Sequence, residues 1–139
     1  MIVVDTSVIV AYMNGADADH AAVCAWLDDE PDEMVTTPLV IAETDYLVMT
    51  WGGSSAARAL REDLTAGAYL VEWWPNAITG AVEVADRYAD HDLALTDASL
   101  VALAAHVSTI SIGTLDERHF RAIRPLTGGD AFRLLPADQ

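Results

Sequence analysis

An α/β fold, with a mostly parallel sheet covered by helices on both faces, is what this sequence predicts. Three observations carry that expectation. Short β-rich runs alternate with helical patterns along the whole chain, and that alternation is the signature of parallel strands joined by helical crossovers. Glycine- and proline-bearing breaks at Gly52-Gly53, Trp74-Pro75-Asn76 and Thr127-Gly128-Gly129 separate the elements. A hydrophobic content of 53% with mean hydropathy +0.24 gives the chain enough apolar surface to fold.

Taken in order, Ile2–Val4 is a run of three aliphatics suited to a buried strand, and Ser7–Met13 and Ala18–Leu27 follow as helices. A second strand is expected at Met34–Thr36. Helices over Leu39–Thr50 and Ser54–Thr65 flank the glycine pair. Tyr69–Val71 reads as the third strand and Ala77–Tyr88 as the next helix. Asp97–Val107 is a helix built from Ala, Leu and Val. The β-branched stretch Thr109–Ile112 is the fourth strand, expected to break at Gly113. A short helical turn near Arg118–Ile123 and a last strand at Phe132–Leu135 complete the series. With 139 residues, no repeat and no long linker, residues 1–139 are expected to form a single domain with a sizeable core.

Bulk chemistry narrows the function. The chain carries 22 acids against 7 bases, a net charge of −15, and every base is an arginine. That balance argues against broad electrostatic capture of nucleic acid or of an anionic membrane. Four of the arginines nevertheless fall between residues 118 and 133. Cys24 is alone, which rules out an internal disulfide or a cysteine zinc cluster. There is no basic leader and no apolar run of the ~20 residues a membrane span needs, so the expected location is cytoplasmic.

Four acids stand in places that attract attention. Asp5 ends the first strand, and Thr114 and Asp116 follow the fourth, so all three fall at the carboxyl edge where ligands bind in parallel sheets. Glu43 shares a helix face with Leu39 and Leu47, where a carboxylate is costly to bury unless something binds it. Thr96 and Asp97 stand at the mouth of the Ala/Leu/Val helix. Each has a plainer local explanation: Asp5, Asp97 and Asp116 as helix caps or dipole partners, Glu43 as a residue at the margin of an apolar stripe. Together they suggest one cluster. Clustered carboxylates repel, a divalent cation removes the repulsion, and oxygen ligands without paired His or Cys favour magnesium or manganese over zinc.

The ordered set Asp-Thr-Ser after the first strand, Glu43 on a helix, Leu-Thr-Asp-Ala-Ser-Leu-Val-Ala-Leu-Ala, then Thr-Leu-Asp, resembles the PIN domain, specifically the VapC-like toxins of type II toxin–antitoxin systems. The likeness covers essentially the whole chain. It implies a three-layer α/β/α sandwich around a sheet of about five strands. It also implies a Mg²⁺-dependent endoribonuclease, with Mn²⁺ as a substitute, that cleaves structured RNA such as tRNA or ribosomal RNA. A cognate VapB-like antitoxin would neutralise it, and a homodimer is expected. Carried over by position, Asp5, Glu43, Asp97 and Asp116 are the acidic metal-binding quartet, with Ser7, Thr114 and more weakly Thr6 as supporting hydroxyls. Arg118, Arg121 and Arg124 are candidates for RNA phosphate contacts. The chain departs from the family in its acidity and its lack of lysine, which bears on RNA affinity more than on chemistry.

Two other readings compete. An aspartyl-phosphate enzyme or receiver domain also ends a parallel strand on aspartate, but it needs a nearby lysine, and the phosphatases need an acid where Ser7 stands. A catalytically silent PIN-like binding module that only docks a partner protein is the remaining alternative.

Overall fold

The computed structural model describes residues 1–139. Five strands form one sheet: β1 (Ile2–Val4), β2 (Met34–Thr36), β3 (Leu70–Val71), β4 (Ser111–Gly113) and β5 (Arg133–Leu135). Their spatial order is β3-β2-β1-β4-β5, and every pairing is parallel. Six α-helices connect them: α1 (Thr6–Met13), α2 (His20–Asp29), α3 (Pro38–Ala66), α4 (Ala77–Arg87), α5 (Leu95–His106) and α6 (Glu117–Arg121). Helix α1 packs on α2 and α3, and α4 packs on α5. Right-handed crossovers place these two groups on opposite faces, giving the three layers.

Strand order determines where a site can form. From β1 the chain first winds outward through β2 to β3, then returns to β4 on the other side of β1. The carboxyl ends of β1 and β4 therefore flank the point where the winding reverses, and crevices open at such points. Val3, Val4 and Ile112 are fully buried on these central strands, as expected when both faces of a parallel sheet are covered.

The expected elements are present, with shifts that have physical causes. Gly113 does not break β4; it pairs with Val4 and Leu135 inside the sheet. Its role is space. A β-carbon there would stand 2.8 Å from Trp26 Cη2, the rigid indole that α2 packs down onto the sheet. Helix α5 begins at Leu95, so Asp97 lies in its first turn and not at its opening residue. The two helices around the glycine pair form one span, Pro38–Ala66, bent at Gly53, whose φ of 70° only glycine adopts readily. Thr37 caps its start by accepting from the Val40 amide at 3.4 Å, next to a proline at the first helical position.

The core face of α3 is Val40, Thr44 and Val48, one residue round from the stripe the sequence suggested. Glu43 thus lies on the margin of the buried face, beside half-buried Leu39 and Leu47. Trp26 is a core residue, whereas Trp51 is 67% exposed and Tyr46 70%. Val40, by contrast, belongs to the core.

Candidate active site

Asp5 is the N-terminal flanking residue of α1, Asp116 holds the same position before α6, and Asp97 lies in the first turn of α5. Asp5 and Asp116 occupy the place where an aspartate ordinarily caps a helix, and Asp97 is the third residue of α5. None of the three helices receives a side-chain cap. Capping therefore does not account for Asp5 or Asp116, whereas Asp97 keeps a place that the dipole of α5 favours.

Asp5 is buried to 5% exposure, at the end of β1. Its backbone amide donates to the Gly113 carbonyl at 2.9 Å, which ties it to β4. Its Oδ2 accepts two hydroxyl bonds, from Ser7 Oγ and from Thr114 Oγ1, each at 2.8 Å. Both hydroxyls also accept: Ser7 Oγ from the Leu115 amide at 2.9 Å, and Thr114 Oγ1 from the Asp116 amide at 3.0 Å. The loop that delivers Asp116 is thus fastened to Asp5 by two relays. Thr6 does the corresponding work for the fourth acid, donating from Oγ1 to Glu43 Oε2 at 2.7 Å and joining α1 to α3. Each of the three supporting hydroxyls expected from the sequence donates to one of the acids.

Asp97 reaches the same place from the other helical layer. Burial pushes its carboxyl up to about 6, reinforced by the negative charges of Asp5, Glu43 and Asp116 and opposed by His119. Asp5 is also raised, first by burial and then by Glu43, against the lowering effect of its Ser7 and Thr114 bonds. All four acids therefore act within one electrostatic neighbourhood.

Two features escaped the sequence. His119 has Nδ1 at 3.2 Å from Asp116 Oδ2 and 3.4 Å from Asp97 Oδ2. That nitrogen is buried, yet its angles to the carboxylates satisfy neither as a hydrogen bond, so the contact is one of charge and proximity. The second feature is a hydroxyl pair, Thr37 Oγ1 with Ser99 Oγ at 2.9 Å, and Ser99 Oγ donates on to the Thr96 carbonyl at 2.6 Å. It joins the start of α3 to the start of α5, and so ties the helix carrying Glu43 to the one carrying Asp97. An i, i+3 spacing from Asp116 was the only local hint for His119. Nothing local pairs Thr37 with Ser99, 62 positions apart.

The three candidate phosphate contacts separate. Arg118 and Arg124 are exposed, and their guanidinium groups have no protein partner. Arg121 is held by Asp138 and Glu117.

The donor chemistry suits a hard cation: four carboxylates at one sheet edge, hydroxyl support, and no arginine among them. No three of these side chains, however, stand in an arrangement ready to hold a metal ion. Fit rests on ligand type and on the repulsion a cation would relieve, and binding requires the carboxylates to close inward.

Comparison with known proteins bears on the family and the fold. Residues 2–125 match the family model of the PIN domain. The chain is 40% identical over 135 residues to the ribonuclease VapC26 of Mycobacterium tuberculosis (strain ATCC 25618 / H37Rv), spanning 96% of this chain and 99% of that one. Among solved structures it is similar to VapC20 of Mycobacterium tuberculosis, a sarcin-ricin loop cleaving toxin. The TM-score is 0.81 at 25% identity, covering 90% of this chain and all of that one. It also shares its fold with FitAcB from Neisseria gonorrhoeae, at TM-score 0.60 and 24% identity over 86% of this chain and 91% of that one.

Proposed function

The chain belongs to the PIN-domain family, among the VapC ribonuclease toxins, and on that premise we propose that it is a Mg²⁺-dependent endoribonuclease whose site is Asp5, Glu43, Asp97 and Asp116. The observation that carries this reading is that Asp5 and Asp116 precede helices they do not cap, combined with the raised carboxyls of Asp5 and Asp97. Acids kept together without counter-charge are costly to an empty protein and useful to one that binds a cation.

When bound, Mg²⁺ or Mn²⁺ supplies water activation and neutralises charge developing on the scissile phosphate. The chain's own residues prepare for this. Ser7 and Thr114 fix Oδ2 of Asp5, so its Oδ1 faces no competing side-chain donor. Thr6 orients Glu43. Either Asp97 or Asp116 takes the proton from the attacking water. Because water and not the ribose 2′-OH attacks, the product carries a 5′-phosphate. Arg118 and Arg124 contact flanking phosphates, and so few bases point to recognition of RNA shape, as in a tRNA or a ribosomal RNA loop.

The protein acts in the cytoplasm as a homodimer, and a cognate VapB-like antitoxin silences it. No helix is long and apolar enough to cross a membrane. The carboxylate cluster attracts an arginine from such a partner, and exposed Tyr46 and Trp51 on α3 offer aromatic surface beside it.

The Asp97→Asn variant tests the reading. Cleavage of total RNA with Mg²⁺ is expected to fall by at least about 10²-fold, given the several kcal/mol a metal site supplies, while antitoxin binding persists. An Asp97→Asn protein as active as wild type, or a 2′,3′-cyclic phosphate at the cut, would sink it. If the wild type cleaves no RNA with either cation, the silent binding module is the better description.

A further inference from the structure

Helix α6 has only five residues, too few to be stable on its own, yet Asp116 and His119 depend on where it lies. Phe120 anchors it to the core at 1% exposure. A second tie comes from the last turn of the chain. Arg121 donates from Nη1 and Nη2 to the two carboxylate oxygens of Asp138, at 2.7 and 2.6 Å, and from Nη2 to Glu117 at 2.9 Å. Asp138 Oδ2 also accepts from the Leu134 amide at 2.8 Å, and the Asp138 amide donates to the Leu134 carbonyl at 2.7 Å. Leu134 lies in β5 and pairs with Ile112 of β4. An unbroken chain of contacts therefore runs from the sheet through Asp138 and Arg121 into α6.

We propose that Asp138 and Arg121 are positioning residues of the carboxylate site, clamping α6 to the end of β5 so that Asp116 and His119 stay turned toward Asp97. The proposal rests on reading that site as a metal-dependent nuclease. It gives Arg121 a role other than gripping RNA, because its two terminal nitrogens already face carboxylates. An exposed ion pair adds little to global stability, but a two-pronged guanidinium–carboxylate pair fixes orientation. The clamp's effect is therefore local, on the distance between α6 and α5.

The experiment is a double-mutant cycle on the full chain with Arg121→Gln, Asp138→Asn and the pair together, reading Mn²⁺ affinity by calorimetry without RNA and then cleavage kinetics. Each single change is expected to weaken Mn²⁺ binding about tenfold, the usual loss when support for a ligand is removed. The double variant should lose no more than either single one, since both break the same contact. kcat should fall while KM for RNA stays within about twofold of wild type. Arg121→Lys, which keeps the charge and one bond, should show a smaller loss and guards against unfolding in the others. Wild-type Mn²⁺ affinity in Asp138→Asn, with KM raised only in Arg121→Gln, would overturn the clamp and assign Arg121 to RNA. Losses that multiply in the double variant would overturn it too. A wild type that binds no Mn²⁺ would instead bring down the nuclease reading, and the clamp with it.

Discussion

Two acidic regions lie on either side of α6 and are built on opposite plans. On one side Asp5, Glu43, Asp97 and Asp116 have no arginine among them; the only basic group is His119. On the other, Asp138 and Glu117 share one arginine. The consequence shows in the carboxyls. Asp97 is pushed up to about 6 by burial and its acidic neighbours. Asp138 is pulled down to about 2 by its Arg121 and Leu134 bonds. With 7 arginines for 22 acids, compensation is scarce, and the fold places it away from the quartet. The difference teaches that acidity here is not uniform surface decoration: one cluster is left frustrated, and frustration is what a cation relieves.

The strongest way to break this comparison is to remove a charge from the frustrated cluster. Asp97 has a folded-state value raised from 3.8 to about 6. Its contribution to stability is therefore fully present below pH ~4 and is lost as pH rises through ~6. In metal-free protein, Asp97→Asn is expected to be more stable than wild type at pH 7.5 by about 1–3 kcal/mol, discounted for coupling to its neighbours. The two should converge near pH 4. Urea unfolding across that range in EDTA measures the gap, and a gap independent of pH refutes the account. Added Mg²⁺ should stabilise wild type more than the variant.

An effect of similar size and opposite sign is expected at the hydroxyls that partly compensate Asp5. Thr114→Val keeps the shape but removes one 2.8 Å donor to a buried carboxylate, a bond of the kind worth about 1.5–3 kcal/mol. Mn²⁺ affinity should drop about tenfold, while the fold, judged by far-UV circular dichroism, is kept. Unchanged affinity would show that Ser7 alone orients Asp5.

The smallest effect belongs to an acid of α3 that is already compensated by an arginine. Arg61 donates to both oxygens of Asp45 at 2.9 Å, but in an exposed setting. Arg61→Gln should leave the urea midpoint close to that of wild type. A clear loss would mean that pairing, and not burial, dominates the energetics of acids throughout this chain.

How much of this was legible beforehand depends on the range of the interaction. Ile2–Val4 declares a buried strand by itself, and the Thr37 cap and the Gly53 bend follow from local backbone preferences. The stripe on α3 was misjudged by one residue, because Leu39 and Leu47 are as apolar as Val40 and Val48, and only packing against α1 decides which row is buried. Gly113 was expected to end a strand, since its use depends on an indole 87 positions earlier. Arg121 was grouped with its neighbours, since its partner Asp138 waits in the last turn.

What the sequence determined by itself was the alternation of strand and helix, the acids at strand ends, and hence the family likeness. These are written in residue-to-residue periodicity and in side chains that must follow a buried strand. Only the tertiary structure decided that Asp97 faces His119, that Thr37 meets Ser99, and that the C-terminal turn holds α6 in place. Such contacts join segments distant along the chain, and their energies depend on distance and burial, which exist only once the layers have closed.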